Sequence, residues 1–420
     1  MKRYLSILLA LLLALGMLTG CGGSKTGGEP EAEPTDTPEP AVTAEPAGEA
    51  AAADGESEET APTDGDAEQA APSTYEDFTA AIQKARTAFE PDTVIATVNG
   101  APLTWKMFYY FIAGDLQEVY YYIGSLPADF GEEVMEGTTW NRYFTESALN
   151  QALYYLIADI KAEELGAELS EEQLGNVDSY WKEMEERFGG EEALNQELDA
   201  ACLDRELFSS LILGNEKLNA LMDTLYGPDG GKLSEEEILT WAAEKGYVRT
   251  KHVLWSFLDE SGAALDDEGK AALKTRLEGV LAGLKELEGD PEALEKRFDE
   301  LMTAESADPG GLARFPAGYT YTAGTMVAAF EEAAFALKYH ELSELVETSY
   351  GYHILLGLPL NVDGLTMDQD ANTGEYLTLR QSAANDLFAS RLVEWIDTAE
   401  VKWSEGFEDL DLNTVFHGES

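Results

Sequence analysis

The sequence predicts an α+β protein: a helical domain, built from two separated stretches of chain, carries a smaller α+β domain inserted between them. Residues 76–225 repeat apolar side chains at helical spacing. A breaker cluster, Tyr226-Gly227-Pro228-Asp229-Gly230-Gly231, is followed by a strand–helix–strand pattern. The segment beyond Leu360 holds one helix and one short extended piece. It is too short to form a core and is expected to pack back on the first helices.

The chain has 420 residues, of which 44% are apolar, enough for a sizeable core. Its 81 acidic and 27 basic residues give a formal net charge of -54. Nucleic acid and anionic headgroups are bound by Lys and Arg, so this surface excludes nucleic acid as a partner. Two cysteines, Cys21 and Cys202, exclude a disulfide framework. Cys202 lies in a helical-looking run and reads as a small buried residue. The four histidines have no zinc spacing, and no metal or cofactor is expected.

At the N-terminus, Lys2 and Arg3 precede an uncharged apolar run, Leu5 to Met17, of signal-peptide length and short for a membrane span. It ends at Leu18-Thr19-Gly20-Cys21, which resembles a bacterial lipobox. The resemblance implies a signal peptide over 1–20, cleavage before Cys21 and lipid on its thiol. Buried acyl methylenes would then anchor an exported protein on the extracytoplasmic face of the cell membrane. Residues 21–75 are rich in Ala, Pro, Glu, Thr and Gly, with Val42 as the only large aliphatic from Gly22 to Ser73. Such a stretch buries too little to fold and is expected to be a disordered, self-repelling spacer.

The helical domain is expected over 76–245. Thr93 to Gly100 reads as a strand closed by an Asn-Gly turn. Leu149, Leu153, Leu156 and Ile160 share one helix face, and Leu207, Leu211, Leu218 and Met222 another. Ser170 with Gln173 and Ser234 with Glu237 are capping-box pairs. In the inserted domain, 246–358, Val248 to Phe257 reads as a strand. Leu273, Leu277, Leu281 and Leu284 line a helix, Asp290-Pro291 starts another, and Phe330 to Leu337 suggests a third. His353 to Leu356 closes as a strand. In the tail, 359–420, a helix is expected from Glu375 to Ile396, then the extended piece Glu400 to Trp403.

Four fragments of the inserted domain share one resemblance. Lys251-His252-Val253-Leu254 looks like the opening strand of the parvulin-type peptidyl-prolyl isomerases. Ser306-Ala307-Asp308 looks like that family's Asp-bearing loop. Met326 to Leu337 (MVAAFEEAAFAL) matches its M-x-x-x-F-E-x-A-A-F-A-L helix, and Tyr350-Gly351-Tyr352-His353-Ile354-Leu355 its last strand. Four fragments in order over about 110 residues are specific where each alone is weak. The resemblance implies rotation of X-Pro amides. It assigns polar orienting roles to His252, Asp308 and His353, and an apolar cup for the proline ring to Met326, Phe330 and Leu312. Val94 to Thr104 (VIATVNGAPLT) resembles the start of the SurA/PrsA chaperone domain. The whole is therefore similar to PrsA-type foldase lipoproteins.

Alone, Met326 and Phe330 at i, i+4 would read as core, the histidines as satisfied core residues and Asp308 as a turn residue; the shared register favours the site. After Asp308 the chain departs from the family: its loop is shorter and a second acidic residue is missing. Two readings stay open, an isomerase and chaperone for exported chains, and a non-catalytic holdase with a degenerate isomerase domain. The four fragments disfavour a third, a solute-binding or adhesion lipoprotein. The partners expected are unfolded or newly exported polypeptides and the membrane, and a homodimer is left open. Phosphate-directed parvulins carry Arg and Lys after the first strand. Here Asp259, Glu260, Asp266, Asp267 and Glu268 follow it, so the X-Pro bonds should be unmodified. Asp368 to Gly374 only loosely resembles a calcium loop and reads as a solvated turn.

Overall fold

The computed structural model describes residues 74–259, 261–371 and 373–418. The expected signal peptide, Cys21 and nearly all of the expected spacer lie outside the described residues, as do Glu260 and Asn372.

Helix α1 (Tyr75–Arg86) is capped by the Thr74 hydroxyl, which accepts from the Asp77 N–H. Strands β1 (Val94–Val98) and β2 (Ala101–Thr104) pair antiparallel. Asn99 and Gly100 join them at φ 48° and 92°, the left-handed pair that a tight two-residue hairpin requires. There follow α2 (Trp105–Ile123), a small hairpin of β3 (Glu133–Met135) and β4 (Thr138–Thr139), then α3 (Trp140–Leu165). Helices α4 (Glu171–Phe188), α5 (Glu191–Ala200), α6 (Arg205–Tyr226) and α7 (Glu235–Lys245) complete this part. Both expected capping boxes form, at Ser170–Gln173 and Ser234–Glu237.

Cys202 lies between α5 and α6, not inside a helix. It takes φ 60°, and the Leu203 N–H closes back on the Leu198 carbonyl, the left-handed close of a helix end. Its thiol is buried, and burial pushes it up to about 11, so it is inert near neutral pH.

The second part begins with β5 (Val248–Ser256), followed by α8 (Asp267–Lys285), α9 (Pro291–Glu305) and the short α10 (Pro309–Arg314). Strand β6 (Tyr319–Tyr321), helix α11 (Ala328–Ala336) and strands β7 (Val346–Glu347) and β8 (Gly351–Leu358) complete it. The sheet runs β6-β5-β8-β7 and is antiparallel throughout. One face is filled by Leu277, Leu281, Leu294 and Phe298 of α8 and α9. Gly351 starts β8 because a Cβ there would lie 2.0 Å from the Trp255 carbonyl oxygen.

The tail holds a hairpin of β9 (Leu365–Gln369) and β10 (Tyr376–Thr378), then α12 (Leu379–Asp397), β11 (Val401–Trp403) and α13 (Leu412–His417). The helix expected from Glu375 therefore starts at Leu379. Tyr376–Thr378 are extended against β9, and a Thr378–Gln381 capping box sets the boundary. The loosely calcium-like stretch spans the end of β9 and the β9–β10 turn. Its Asp368 accepts hydrogen bonds from Tyr247 and Ser382.

Strand β11 pairs antiparallel with β1, so the three-stranded sheet runs β11-β1-β2. Leu412 and Phe416 enter the same core as Trp105, Phe108, Phe130 and Phe144. Phe388 and Leu392 of α12 pack with Ile157 and Leu221 of α3 and α6. Each such side chain contributes roughly 1.5–3 kcal/mol through burial. The α+β class holds, with a helical part drawn from both ends of the described chain and a sheet-containing unit between them. Among the described residues no helix is long and apolar enough to cross a membrane.

Candidate active site

The site starts from the register of β5 and β8. His252 lies opposite Leu355 and Leu254 opposite His353, so the two histidines are diagonal neighbours on one sheet face. Their Nδ1 atoms are 3.2 Å apart, and both rings are more than nine-tenths buried. Buried imidazoles need a partner for every ring nitrogen. His252 Nε2 is 3.0 Å from Asp308 Oδ2, and His353 Nε2 is 2.9 Å from the Thr348 hydroxyl.

Asp308 is held from three sides. Oδ2 also accepts from the Tyr319 hydroxyl at 2.6 Å, and Oδ1 accepts from the Gly311 N–H at 2.9 Å, capping α10. The hydrogen bond from His252 is the largest of the influences that keep this carboxyl well below the usual carboxylate range, against the effect of burial. Burial and the neighbouring carboxylate raise the Tyr319 phenol, so it stays a donor. Gly311 is required here: a Cβ would lie 1.6 Å from the Tyr319 oxygen and 2.2 Å from Asp308 Oδ2.

With both rings neutral, these contacts admit one ordering of protons. The ionised Asp308 accepts from His252 Nε2–H. His252 Nδ1 is then an acceptor and receives a hydrogen bond from His353 Nδ1–H. His353 Nε2 in turn accepts from Thr348, whose oxygen also receives the Tyr350 N–H at 3.1 Å. The chain Thr348–His353–His252–Asp308–Tyr319 is thus satisfied end to end. The Thr348 hydroxyl is engaged at both ends and is no free nucleophile.

Apolar groups close the set. The Phe330 ring stands edge-on to both imidazoles, with centroids 5.3 Å from His252 and 5.5 Å from His353. Phe330 packs with Tyr321, Val346 and Leu355, and the partly buried Met326 packs against the same cluster. Glu331 holds the start of α11 by accepting from the Met326 N–H at 2.7 Å.

The structure therefore brings together His252, His353, Asp308, Phe330 and Met326. It brings Leu312 to two of them: Leu312 shares a small cavity with His252 and Asp308, but belongs to a different apolar cluster from Phe330 and Met326. Leu312 packs against the cluster of Val253, Leu301 and Met302. The same cavity is also lined by Lys251, Ser306, Phe315 and Tyr319. Tyr319 and Thr348 were missed by sequence reasoning; the one available signal was their closeness to the Asp308 loop and the Tyr350-Gly351 turn. Two members of the acidic stretch after β5 have local roles: Asp259 accepts from the Ser261 and Ala263 N–H groups, and Asp266 caps α8.

A profile of the rotamase family, described as the PPIC-type PPIASE domain, matches residues 252–357. The peptidyl-prolyl cis-trans isomerase Pin1 of Arabidopsis thaliana is 31% identical over 115 residues, covering 27% of this chain and 96% of that protein. The foldase protein PrsA of Staphylococcus epidermidis is 25% identical over 237 residues, 50% of this chain and 66% of that one. The crystal structure of the foldase PrsA from Lactococcus lactis is 14% identical. That alignment covers 77% of this chain and 98% of the other with a TM-score of 0.27, too low to support any detail of geometry. The chain spans 58% of the length of one curated PrsA relative, from Halalkalibacterium halodurans, and 66% of the one from S. epidermidis.

Burial, and then the neighbouring His252, lowers the His353 imidazole to about 4, with Asp308 opposing. The unfolded ring titrates near 6.5. Between these values the unfolded chain binds the extra proton, so the stability tied to this ring is present above about 6.5 and lost as pH falls to about 4. A proton NMR titration of the four histidines, assigned with His353→Asn, is expected to show the His353 midpoint near 4. A midpoint of about 6 or above would mean that the ring is not held neutral by burial.

Proposed function

Because the chain belongs to the PPIC-type peptidyl-prolyl isomerase family, in its PrsA/SurA-like foldase form, we propose that it rotates X-Pro bonds in exported polypeptides and shelters those chains while they fold. The observation that carries this reading is the closed hydrogen-bonded set packed edge-on against Phe330. Rotation of an amide meets a barrier of about 18–20 kcal/mol but breaks no bond. It calls for an apolar seat for the proline ring and fixed dipoles that favour the twisted amide. In this proposal Met326 and Phe330 form the seat, and His252, His353 and Asp308 fix the polar wall. Leu312, which lines the cavity beside His252 and Asp308, is the third apolar wall. The acidic residues after β5 support unmodified X-Pro targets, since phosphate there would meet carboxylates.

A protease-coupled proline-peptide assay on the full chain tests it. Asp308→Ala and His353→Ala are each expected to lower kcat/KM at least about ten-fold, as removal of preorganised polar groups does elsewhere. Wild type indistinguishable from both variants at the uncatalysed rate would sink the enzyme reading.

A second observation supports the chaperone part and would survive that failure as a holdase. Tyr121, Tyr122 and Ile123 at the end of α2 are 80%, 76% and 59% exposed, with Met135 and Tyr143 also exposed. Large apolar side chains grouped in this way suit unfolded segments. The triple change Tyr121→Ser, Tyr122→Ser, Ile123→Ser is expected to weaken suppression of a client's aggregation and to leave isomerisation of a short peptide intact. Unchanged suppression would remove this surface from the proposal.

The same reading takes 1–20 as signal peptide, Cys21 as the lipidated anchor, 21–75 as spacer, 76–245 and 359–420 as the chaperone domain and 246–358 as the isomerase domain, with a homodimer allowed. Cys21→Ser is expected to move the protein from the membrane fraction to the soluble exported fraction; unaltered fractionation argues against the anchor.

A further inference from the structure

Helix α10 carries the residues next to Asp308, yet none of its six residues is buried. The segment after it is fixed by Phe315, which is 6% exposed. The Phe315 ring lies between Tyr319 at 5.2 Å and Tyr376 of β10 at 4.9 Å, the latter edge-on. The Arg314 guanidinium sits over the same Tyr376 ring at 5.3 Å and donates to its hydroxyl at 3.4 Å. Tyr319 then donates to Asp308. Beside it, β9 sends Met367 into the cluster of Phe330 and Tyr321. This hairpin forms its own two-stranded sheet and pairs with no strand of the four-stranded one.

The other side of the hairpin is tied to the helical part. Asp368 Oδ2 accepts from Tyr247 at 2.5 Å and from Ser382 of α12 at 2.7 Å. Thr366 is fully buried and donates to the Leu377 carbonyl, locking the two strands together. Thr378, the last residue of β10, caps α12, whose Leu379, Ala383 and Ala384 pack on Ile238 and Trp241 of α7.

We infer that the β9–β10 hairpin is a strut for the candidate site, and that Tyr376 is a positioning residue acting through Phe315 and Tyr319 on Asp308. The helical part thereby holds the Asp308 loop in place from outside the sheet. The catalytic consequence rests on the isomerase reading; the mechanical link does not. A hydroxyl that caps Asp308 is useful only within a few tenths of an ångström, and misplacement by about 1 Å can cost up to about a hundred-fold in rate.

The test uses the full chain with Tyr376→Ala, Tyr376→Phe, Tyr319→Phe and the double variant Tyr376→Ala/Tyr319→Phe. Hydrogen exchange followed by mass spectrometry is expected to speed up in Tyr376→Ala over residues 306–319 and to stay unchanged over 267–285. In the proline-peptide assay, kcat should fall about ten-fold with KM within about two-fold, and Tyr376→Phe, which keeps the ring, should restore it. The double variant should be no slower than Tyr319→Phe alone, since both changes act on one path. Unchanged exchange over 306–319, faster exchange everywhere, additive losses in the double variant or an effect on KM alone would each overturn the strut. An inactive wild type would remove the isomerase reading, and the exchange result would still decide the mechanical link.

Discussion

The arrangement depends on one constraint: two imidazoles are buried 3.2 Å apart and cannot be left with an unpaired nitrogen. That demand fixes their neighbours. Asp308 must stay ionised to accept the first hydrogen bond, and it does so because three donors surround it. Thr348 must face His353, which requires the tight turn into Gly351. Gly311 must lack a side chain, or Tyr319 could not reach the carboxylate. Five side chains and two backbone N–H groups are tied together by a proton count.

The helical part meets the same kind of accounting at larger scale. Strand β1 has β2 on one edge and would leave its other edge open without β11, which comes from the far end of the described chain. Ser404 and Asn99 reinforce the closure, the first donating to the Val94 carbonyl and the second accepting from the Glu400 N–H. Leu412 and Phe416 then cover Phe130 and Tyr109. The unit that holds the histidines enters and leaves from one place, since Arg249 pairs with Leu358 across β5 and β8.

Much of this could be read from the chain because the signals are local. The Asn99-Gly100 turn, two capping boxes and the leucine stripes of α3 and α8 lie within a few residues of what they specify. The histidines and Asp308 were legible through strand and loop fragments resembling one family. Tyr319 and Thr348 were not, because a tyrosine in a strand and a threonine before a turn carry no local mark of the partner they will meet. The β9–β10 hairpin was read as a solvated turn and the start of a helix. Its strand character comes from pairing, which is not local, and the Thr378–Gln381 box that marks the true helix start was overlooked. Leu312 was placed by resemblance in one cup with Met326 and Phe330; it shares a cavity with His252 and Asp308 but packs on a different apolar cluster from those two.

The pairing of Arg249 with Leu358 has a further consequence, for the order in which the chain folds. To complete its three-stranded sheet, the helical part must bring Val401 to Val98 across an intervening segment. If that segment is still unstructured, the residues between Tyr247 and Pro359 form a loop of roughly a hundred residues, whose closure costs about 4 kcal/mol in chain entropy. Once β5 and β8 have paired, the ends of that loop are already neighbours and the cost has been met by contacts of the inserted unit itself. The tail then docks as though a short turn preceded it. The unit in the middle of the sequence is thus an entropic clasp for the domain around it.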